Sequence, residues 1–320
     1  MDQGVNVDKG LAMTDGTKVS IGLVGYGEVG KILAGALTNR VAWIGAWDTL
    51  LRDAASAPAM REHARRAGVE AMPSLAALLA RADVVISAVT ASQTFAVAAE
   101  AAPAIRRGTW FVDLNSASPE TKARSSERVD AAGARYVESA VMTSVPPHGI
   151  RVPMLLGGSH AEAALPLLAS LGFNAEVASP RVGVASAIKM CRSVIIKGLE
   201  ALVVESFTSA RAYGVEDRVL ASLHETFPTL EWDKLGTYLF SRAALHGKRR
   251  AEEMREVALT VREIGLEPLL ASATAERQDW MGKQKEKAGL GQIGKDANWR
   301  TYADRLLQAH GAGGGKSAAD

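Results

Sequence analysis

Four polar residues, Lys189, Ser193, Lys197 and Glu200, recur at offsets of 0, 4, 8 and 11 in an otherwise apolar stretch. Ala185, Ile188, Met190, Val194, Ile195 and Leu199 surround them. At about 100° per residue, a helix gathers all four within roughly 80° of arc. Two readings of this stripe are open. In one it is a solvated ridge, and Lys197 with Glu200 makes a surface ion pair worth well under about 1 kcal/mol. In the other, Lys189 points into a cleft between domains. Partial desolvation there lowers its proton affinity and suits it to proton relay. Cys191 lies about 160° around the helix from Lys189 and is expected to pack rather than react.

A second constellation is Gly25-Tyr26-Gly27-Glu28-Val29-Gly30, after an apolar run and at the start of an amphipathic one. In a G-x-G-x-x-G turn the first glycine permits the tight bend and the second admits a pyrophosphate. The third lets helix pack on strand, and the phosphate rests on free N–H groups at the helix start. Asp48, 18 residues after Gly30, stands where an acid accepts hydrogen bonds from the adenosine ribose. It would repel a 2′-phosphate, so the expected cofactor is NAD. Arg52 could hold that phosphate, so NADP is not excluded. The bland alternative for Asp48 is a turn cap.

These groups need elements to position them. Residues 18–24, 41–47, 83–89 and 109–114 are short apolar runs of the buried parallel-strand type. Helical patterns over 28–39, 74–80 and 93–105 separate them, and residues 135–141, 152–156 and 175–178 extend the strand series. The class is α/β: an N-terminal Rossmann doubly wound sheet, then an all-α C-terminal domain entered through a long interdomain helix. That helix is expected over 183–213. Expected boundaries are a leader over 1–17, a dinucleotide-binding domain over 18–182, a helical substrate and dimerisation domain over 183–308, and a low-complexity tail over 309–320.

Composition excludes other classes. Of the 320 residues, 48% are hydrophobic, and 37 basic against 35 acidic side chains leave a net charge of +2. That balance gives no electrostatic case for nucleic acid or an anionic membrane. One cysteine excludes a disulfide framework, and no apolar run is long enough to span a bilayer. The six histidines show no ligand spacing, so no metal is expected. A cytoplasmic homodimer acting on a small molecule is the resulting expectation.

GLVGYGEVG at 22–30, DLNSASP at 113–119 and GVASAIKM at 183–190 occur in an order and spacing that resembles the β-hydroxyacid dehydrogenases. The resemblance covers residues 18–280 and implies an NAD(P)-dependent dehydrogenase acting on a 3-hydroxy acid or related alcohol. Lys189 is then the general base toward the substrate hydroxyl in oxidation, and the general acid in reduction. The resemblance also places Asn115 and Ser116 against the nicotinamide ribose and substrate. Thr90, at the end of the fourth strand, is expected to line the cofactor channel, with a plain loop hydroxyl as the alternative.

Three departures separate this chain from the better-known members. Arg192 and Ser193 stand where the family has two asparagines; Ser193 can hydrogen-bond a substrate and Arg192 can grip a carboxylate. Met142-Thr143-Ser144, followed by Val145-Pro146-Pro147-His148-Gly149, replaces a serine-glycine-glycine loop, with Thr143 facing substrate. Glu253-Met254 replaces a late lysine-aspartate pair. Together they resemble the branch known only by a phosphogluconate-dehydrogenase-like C-terminal domain. Loss of the asparagines keeps two alternatives open, an imine reductase and a non-catalytic dinucleotide sensor. His148 and His246 read first as solvated or structural, and Lys248-Arg249-Arg250 as a solvated helix face, with a substrate-phosphate contact as the sharper alternative.

Overall fold

The computed structural model describes residues 18–294 and 296–311. The leader expected over 1–17, and the expected tail from residue 312 on, lie outside the described residues. The chain divides into two compact units. Among the described residues, the second comprises Thr90–Thr94, Ser116–Ala123 and those from Gly183 onward; the other described residues form the first.

In the first unit, strands and helices alternate as β1 (Ser20–Val24), α1 (Glu28–Leu37), β2 (Trp43–Trp47), α2 (Ala57–Arg66) and β3 (Glu70–Ala71). Then come α3 (Leu75–Leu79), β4 (Val84–Ser87), α4 (Thr94–Ala101), β5 (Trp110–Asp113), α5 (Pro119–Ala131) and β6 (Arg135–Val141). The series closes with α6 (Val145–His148), β7 (Pro153–Gly157), α7 (Ala161–Leu171) and β8 (Asn174–Ser179). The eight strands form one sheet in the order β3-β2-β1-β4-β5-β6-β7-β8. All neighbours are parallel except β6 and β7, which run antiparallel. The expected doubly wound sheet is therefore present.

Two apolar layers cover the sheet. Ile21, Leu23, Ile86 and Val112 face one, Val24, Val85 and Phe111 the other. Strands buried on both faces cannot alternate polar with apolar residues, which is why they read as continuous apolar runs. The short β3 was not expected. Its two residues, Glu70 and Ala71, carry no apolar run and pair only as an edge beside β2.

In the second unit, α8 (Val184–Ala212) is followed by α9 (Glu216–Thr226), α10 (Trp232–Glu263), α11 (Leu269–Lys287) and α12 (Trp299–Ala309). The 29 residues of α8 span about 43 Å. Gly183 caps its start at φ +93°, a conformation L side chains rarely adopt. Phe207, Trp232, Phe240, Trp299 and Tyr302 concentrate aromatic mass in one core, with the Phe207 and Trp299 rings 4.9 Å apart.

Candidate active site

The glycine turn lies at the end of β1, where the sheet order reverses between β1 and β4. Doubly wound sheets bind ligands at such switch points. Each glycine does a different job. Gly25 holds φ +92°, and a Cβ there would collide with the Ala88 carbonyl. A Cβ at Gly30 would overlap the Gly25 carbonyl oxygen, so α1 could not approach the turn so closely. A Cβ at Gly27 would meet nothing within 4 Å. Its neighbourhood is open, and α1 starts with no side chain capping its N–H groups. Such a cradle fits a pyrophosphate. Glu28 is exposed and Val29 half-buried along its rim.

This arrangement separates the two functions of glycine experimentally. Gly30→Ala should destabilise the protein by about 1–3 kcal/mol through overpacking. Gly27→Ala should leave stability within about 0.5 kcal/mol yet weaken dinucleotide binding by roughly tenfold or more. Thermal melts and fluorescence titrations with NADH and NADPH would check both; equal effects on stability would contradict the division of roles.

Asp48 joins the turn directly. One carboxylate oxygen accepts the Tyr26 N–H at 2.7 Å and the other accepts the Leu50 N–H at 2.9 Å. It is a turn cap, as the bland reading had it, and it is also fixed beside the glycine turn. Each oxygen keeps a lone pair for a ribose hydroxyl. Arg52 lies 5.2 Å from the Trp47 ring centroid and is largely exposed. The Tyr26 side chain is core instead of rim: its ring is fully buried and its hydroxyl meets His63 Nδ1 at 3.1 Å. Only the Tyr26 backbone belongs to the turn. Asn115 braces the ends of β4 and β5, accepting from the Val89 N–H at 2.7 Å and donating to Ser87 Oγ at 2.9 Å. Thr143 is exposed after β6.

In the second unit the polar stripe of α8 is not a solvated ridge. Ser193, Lys197 and Glu200 are buried and Lys189 is half-buried. Lys197 and Glu200 do not pair with each other. Lys197 Nζ meets Ser193 Oγ at 3.1 Å and Glu253 Oε2 at 3.1 Å. Glu200 pairs with Arg250 at 2.7 Å and accepts from Gln278 Nε2 at 2.8 Å. Spacing along one helix could not reveal Glu253, Arg250 or Gln278, because they arrive from α10 and α11. The same contacts correct the solvated reading of Lys248-Arg249-Arg250: Arg250 is buried, while Lys248 and Arg249 are exposed.

Lys189 Nζ donates a hydrogen bond to Ser116 Oγ. Burial pushes its pKa down to about 8; the Glu253 carboxylate opposes that, while Lys197, Lys122 and Arg249 add to it. For Glu253, burial favours the neutral acid, yet Lys197, Lys189 and Arg249 outweigh burial and hold it at about 2. Ser118 N–H binds Glu256 at 2.9 Å, fixing residues 116–118 against α10. Lys122 and Glu256 escaped the sequence reading, since the polar first turns of α5 and this stretch of α10 look solvated in isolation. Thr90 groups with this unit, exposed and 3.4 Å from Ser92 Oγ. Arg192 is exposed, as are His148 and Cys191. For Cys191 this corrects the packed expectation, because the α8 face opposite the buried stripe is the outward one. His246 is half-buried and held neutral, with its pKa lowered to about 4 by burial and by Arg242, Arg249, Arg250 and Lys285.

Among the described residues, no helix is long and apolar enough to cross a membrane. Residues 20–175 match the NAD binding domain of 6-phosphogluconate dehydrogenase, and residues 210–281 match a domain of unknown function, DUF1932. A conserved hypothetical protein from Sinorhizobium meliloti 1021 is 37% identical, with a TM-score of 0.73 over 92% of this chain and 97% of that one. The conserved protein MTH1747, of unknown function and structurally similar to 3-hydroxyacid dehydrogenases, is 30% identical, with a TM-score of 0.65 over 83% and 98%. 3-Hydroxyisobutyrate dehydrogenase from Mycobacterium tuberculosis, at 18% identity, shares the fold with a TM-score of 0.67 over 91% and 99%. With its NAD-binding domain, its long α8 and the helical domain that follows, the chain belongs to the 3-hydroxyacid dehydrogenase-like (β-hydroxyacid dehydrogenase) family, in the branch whose C-terminal domain is DUF1932.

Proposed function

We propose that the protein is an NAD(P)-dependent dehydrogenase that interconverts a small 3-hydroxy acid, or related alcohol, and its carbonyl, with Lys189 as the acid/base. One observation carries this reading: a half-buried lysine, bonded to Ser116 and titrating near pH 8, on a helix packed with further polar groups. A lysine so poised can take a proton from a hydroxyl and return it to a carbonyl oxygen at neutral pH. When bound, the nicotinamide supplies or accepts the hydride. Gly25, Gly27 and Gly30 hold the dinucleotide backbone, and Asp48 its ribose, with NAD preferred. Ser116 orients Lys189. Asn115 acts by bracing the strand ends, while Ser193, Arg192 and Thr143 are the candidate substrate contacts.

The test is a turnover screen of 3-hydroxy acids and cyclic imines with NAD and NADP in both redox states, beside direct cofactor titrations. Oxidation of a hydroxy acid with NAD upholds the reading. Turnover of imines alone would replace it with imine reduction. Dinucleotide binding without any turnover would favour a sensor.

The functional unit we infer is a homodimer in a soluble, cytoplasmic setting. An apolar groove of about 1200 Å³ between α8 and α11 is lined by Ile195, Gly198, Leu202, Leu270, Ala273 and Trp280. Ile188, Ile195 and Leu202 stand exposed along α8 at a spacing of seven, the seam of a helix–helix contact. On the groove walls Arg277 pairs with Glu205 and Lys283 with Asp279, and Glu276 lines the wall beside them. A surface carrying both ridge and groove suits a second copy packed about a two-fold axis. Leu202→Arg should convert a dimer to monomer in sedimentation velocity; a wild-type monomer at micromolar concentration would contradict the assignment.

A further inference from the structure

The start of α5 is capped from outside its own sequence. Ser118, just before the helix, accepts the Thr121 N–H on its hydroxyl at 3.3 Å, and its carbonyl accepts the Lys122 N–H at 3.0 Å. Ser118 is itself only 1% exposed, so its own N–H needs a partner within the protein. In a capping box that N–H is satisfied by an acid or amide three residues into the helix. Here the position holds Thr121, whose Oγ1 meets Ser118 Oγ at 3.0 Å instead. The missing acid arrives from α10: Glu256 Oε2 accepts the Ser118 N–H at 2.9 Å. Seven residues further along α10, Glu263 accepts the Glu120 N–H at 3.2 Å. Pro119 between them has no N–H to satisfy. The start of α8 packs against the same turn, since a Cβ at Gly183 would stand 3.2 Å from the Pro119 Cβ. Two residues before Ser118 is Ser116, the acceptor of the Lys189 ammonium.

We propose that Glu256 is a positioning residue for Lys189: by supplying the capping acceptor to Ser118, it holds Ser116 where its hydroxyl receives the amine. The inference rests on the acid/base reading of Lys189. Two residues span at most about 7 Å of chain, so anchoring the Ser118 N–H restricts where Ser116 can stand. Without an acceptor at position 256 that N–H is buried and unsatisfied, a cost the turn relieves by shifting toward another partner. Ser116 then moves with the turn, and Lys189 loses an acceptor that favours its charged form and fixes its direction. What matters is an oxygen at the right reach. Glutamine keeps one there, aspartate draws it back by one methylene, and leucine removes it. The three substitutions should therefore form a graded series.

The experiment uses the full-length protein as wild type, Glu256→Gln, Glu256→Asp, Glu256→Leu, Ser116→Ala and the double variant Ser116→Ala with Glu256→Leu. The readout is trace acetylation of Lys189 by acetic anhydride near neutral pH, without substrate. Peptide mass spectrometry quantifies it relative to the exposed Lys248 of the same molecule. Glu256→Leu and Ser116→Ala should each raise labelling by about threefold or more, well within the range of a lost hydrogen bond to a charged group. Glu256→Asp should fall between leucine and wild type, and Glu256→Gln should stay near wild type. The double variant should label no faster than Ser116→Ala alone, because Glu256 acts through that serine. A merely structural role would loosen α8 independently of the serine and add to its effect. Wild-type labelling in both Glu256→Leu and Glu256→Asp, or additive effects in the double variant, would overturn the proposal. Should the leucine variant not fold, Glu256→Asp alone and combined with Ser116→Ala makes the same comparison. Where the screen yields a substrate, kcat should fall in Glu256→Leu with dinucleotide affinity unchanged. The expected labelling with no turnover on any substrate would uphold the positioning while rejecting the dehydrogenase reading.

Discussion

Lys189→Ala is expected to lower turnover by about 10² or more while leaving dinucleotide affinity unchanged. The lysine belongs to the second unit and the glycine turn to the first, so the two properties separate. The fold should survive, because the buried amine is a burden. Its folded pKa of about 8 lies below the ordinary lysine value of 10.5. The unfolded chain therefore binds more protons between those values, and this group's penalty is full below about pH 8 and relieved as pH rises toward 10.5. Alanine removes that penalty, so lost activity in a stable variant would be a chemical effect. The wild type should show the matching pH dependence. Oxidation needs the neutral amine, so its kcat/KM rises with pH up to about 8 and then levels. Reduction through the same group needs the ammonium, so it is level below about pH 8 and falls above it. Stopped-flow rates over pH 6–10 would check both limbs, and undiminished turnover in Lys189→Ala would remove Lys189 from the chemistry.

Arg250→Met should destabilise the protein by about 3–5 kcal/mol, the usual cost of leaving a buried charge without its partner. Arg250 is 8% exposed and Glu200 fully buried, 2.7 Å apart in the interior of the second unit. Burial already raises the Glu200 pKa above the ordinary carboxylate value, with Arg250, Gln278 and Lys197 opposing. The sign follows from linkage: a carboxyl with a raised folded pKa costs stability above that pKa, and acidification relieves the cost. In Arg250→Met the raised value climbs further, so the variant should recover stability as pH falls toward the carboxylate range. The double variant Glu200→Leu with Arg250→Met should regain most of the loss, since an apolar pair of similar volume avoids desolvating either charge. Thermal melts followed by circular dichroism, at neutral pH and near pH 5, would show it. A single variant melting like wild type would mean the pair is solvated.

Much of the first unit was legible because its signals are local. The run at 135–141 is a strand at those limits, and Gly25, Gly27 and Gly30 each occupy the steric situation their spacing implies. The antiparallel β7 was less accessible: strand direction depends on the chain's path, and an apolar run is the same in either direction. Residues 116–123 show a related limit. They read as a loop and helix start of the sheet domain, yet Ser116 bonds Lys189 and the Ser118 N–H bonds Glu256.

The stripe on α8 marks the division most clearly. Periodicity alone determined that Lys189, Ser193, Lys197 and Glu200 share one face of a long helix, because helical geometry is a property of the backbone. It also determined the dinucleotide turn, where glycine is demanded by sterics within a few residues. Only the tertiary structure decided whether that polar face meets water or protein. Glu253 and Arg250 on α10, and Gln278 on α11, bring the charge and hydrogen bonds that let Lys197 and Glu200 be buried. Burial is what moves the proton affinity of Lys189 toward neutrality, and the partners that let the rest of the stripe be buried lie 50 to 78 positions away, where no local pattern encodes them.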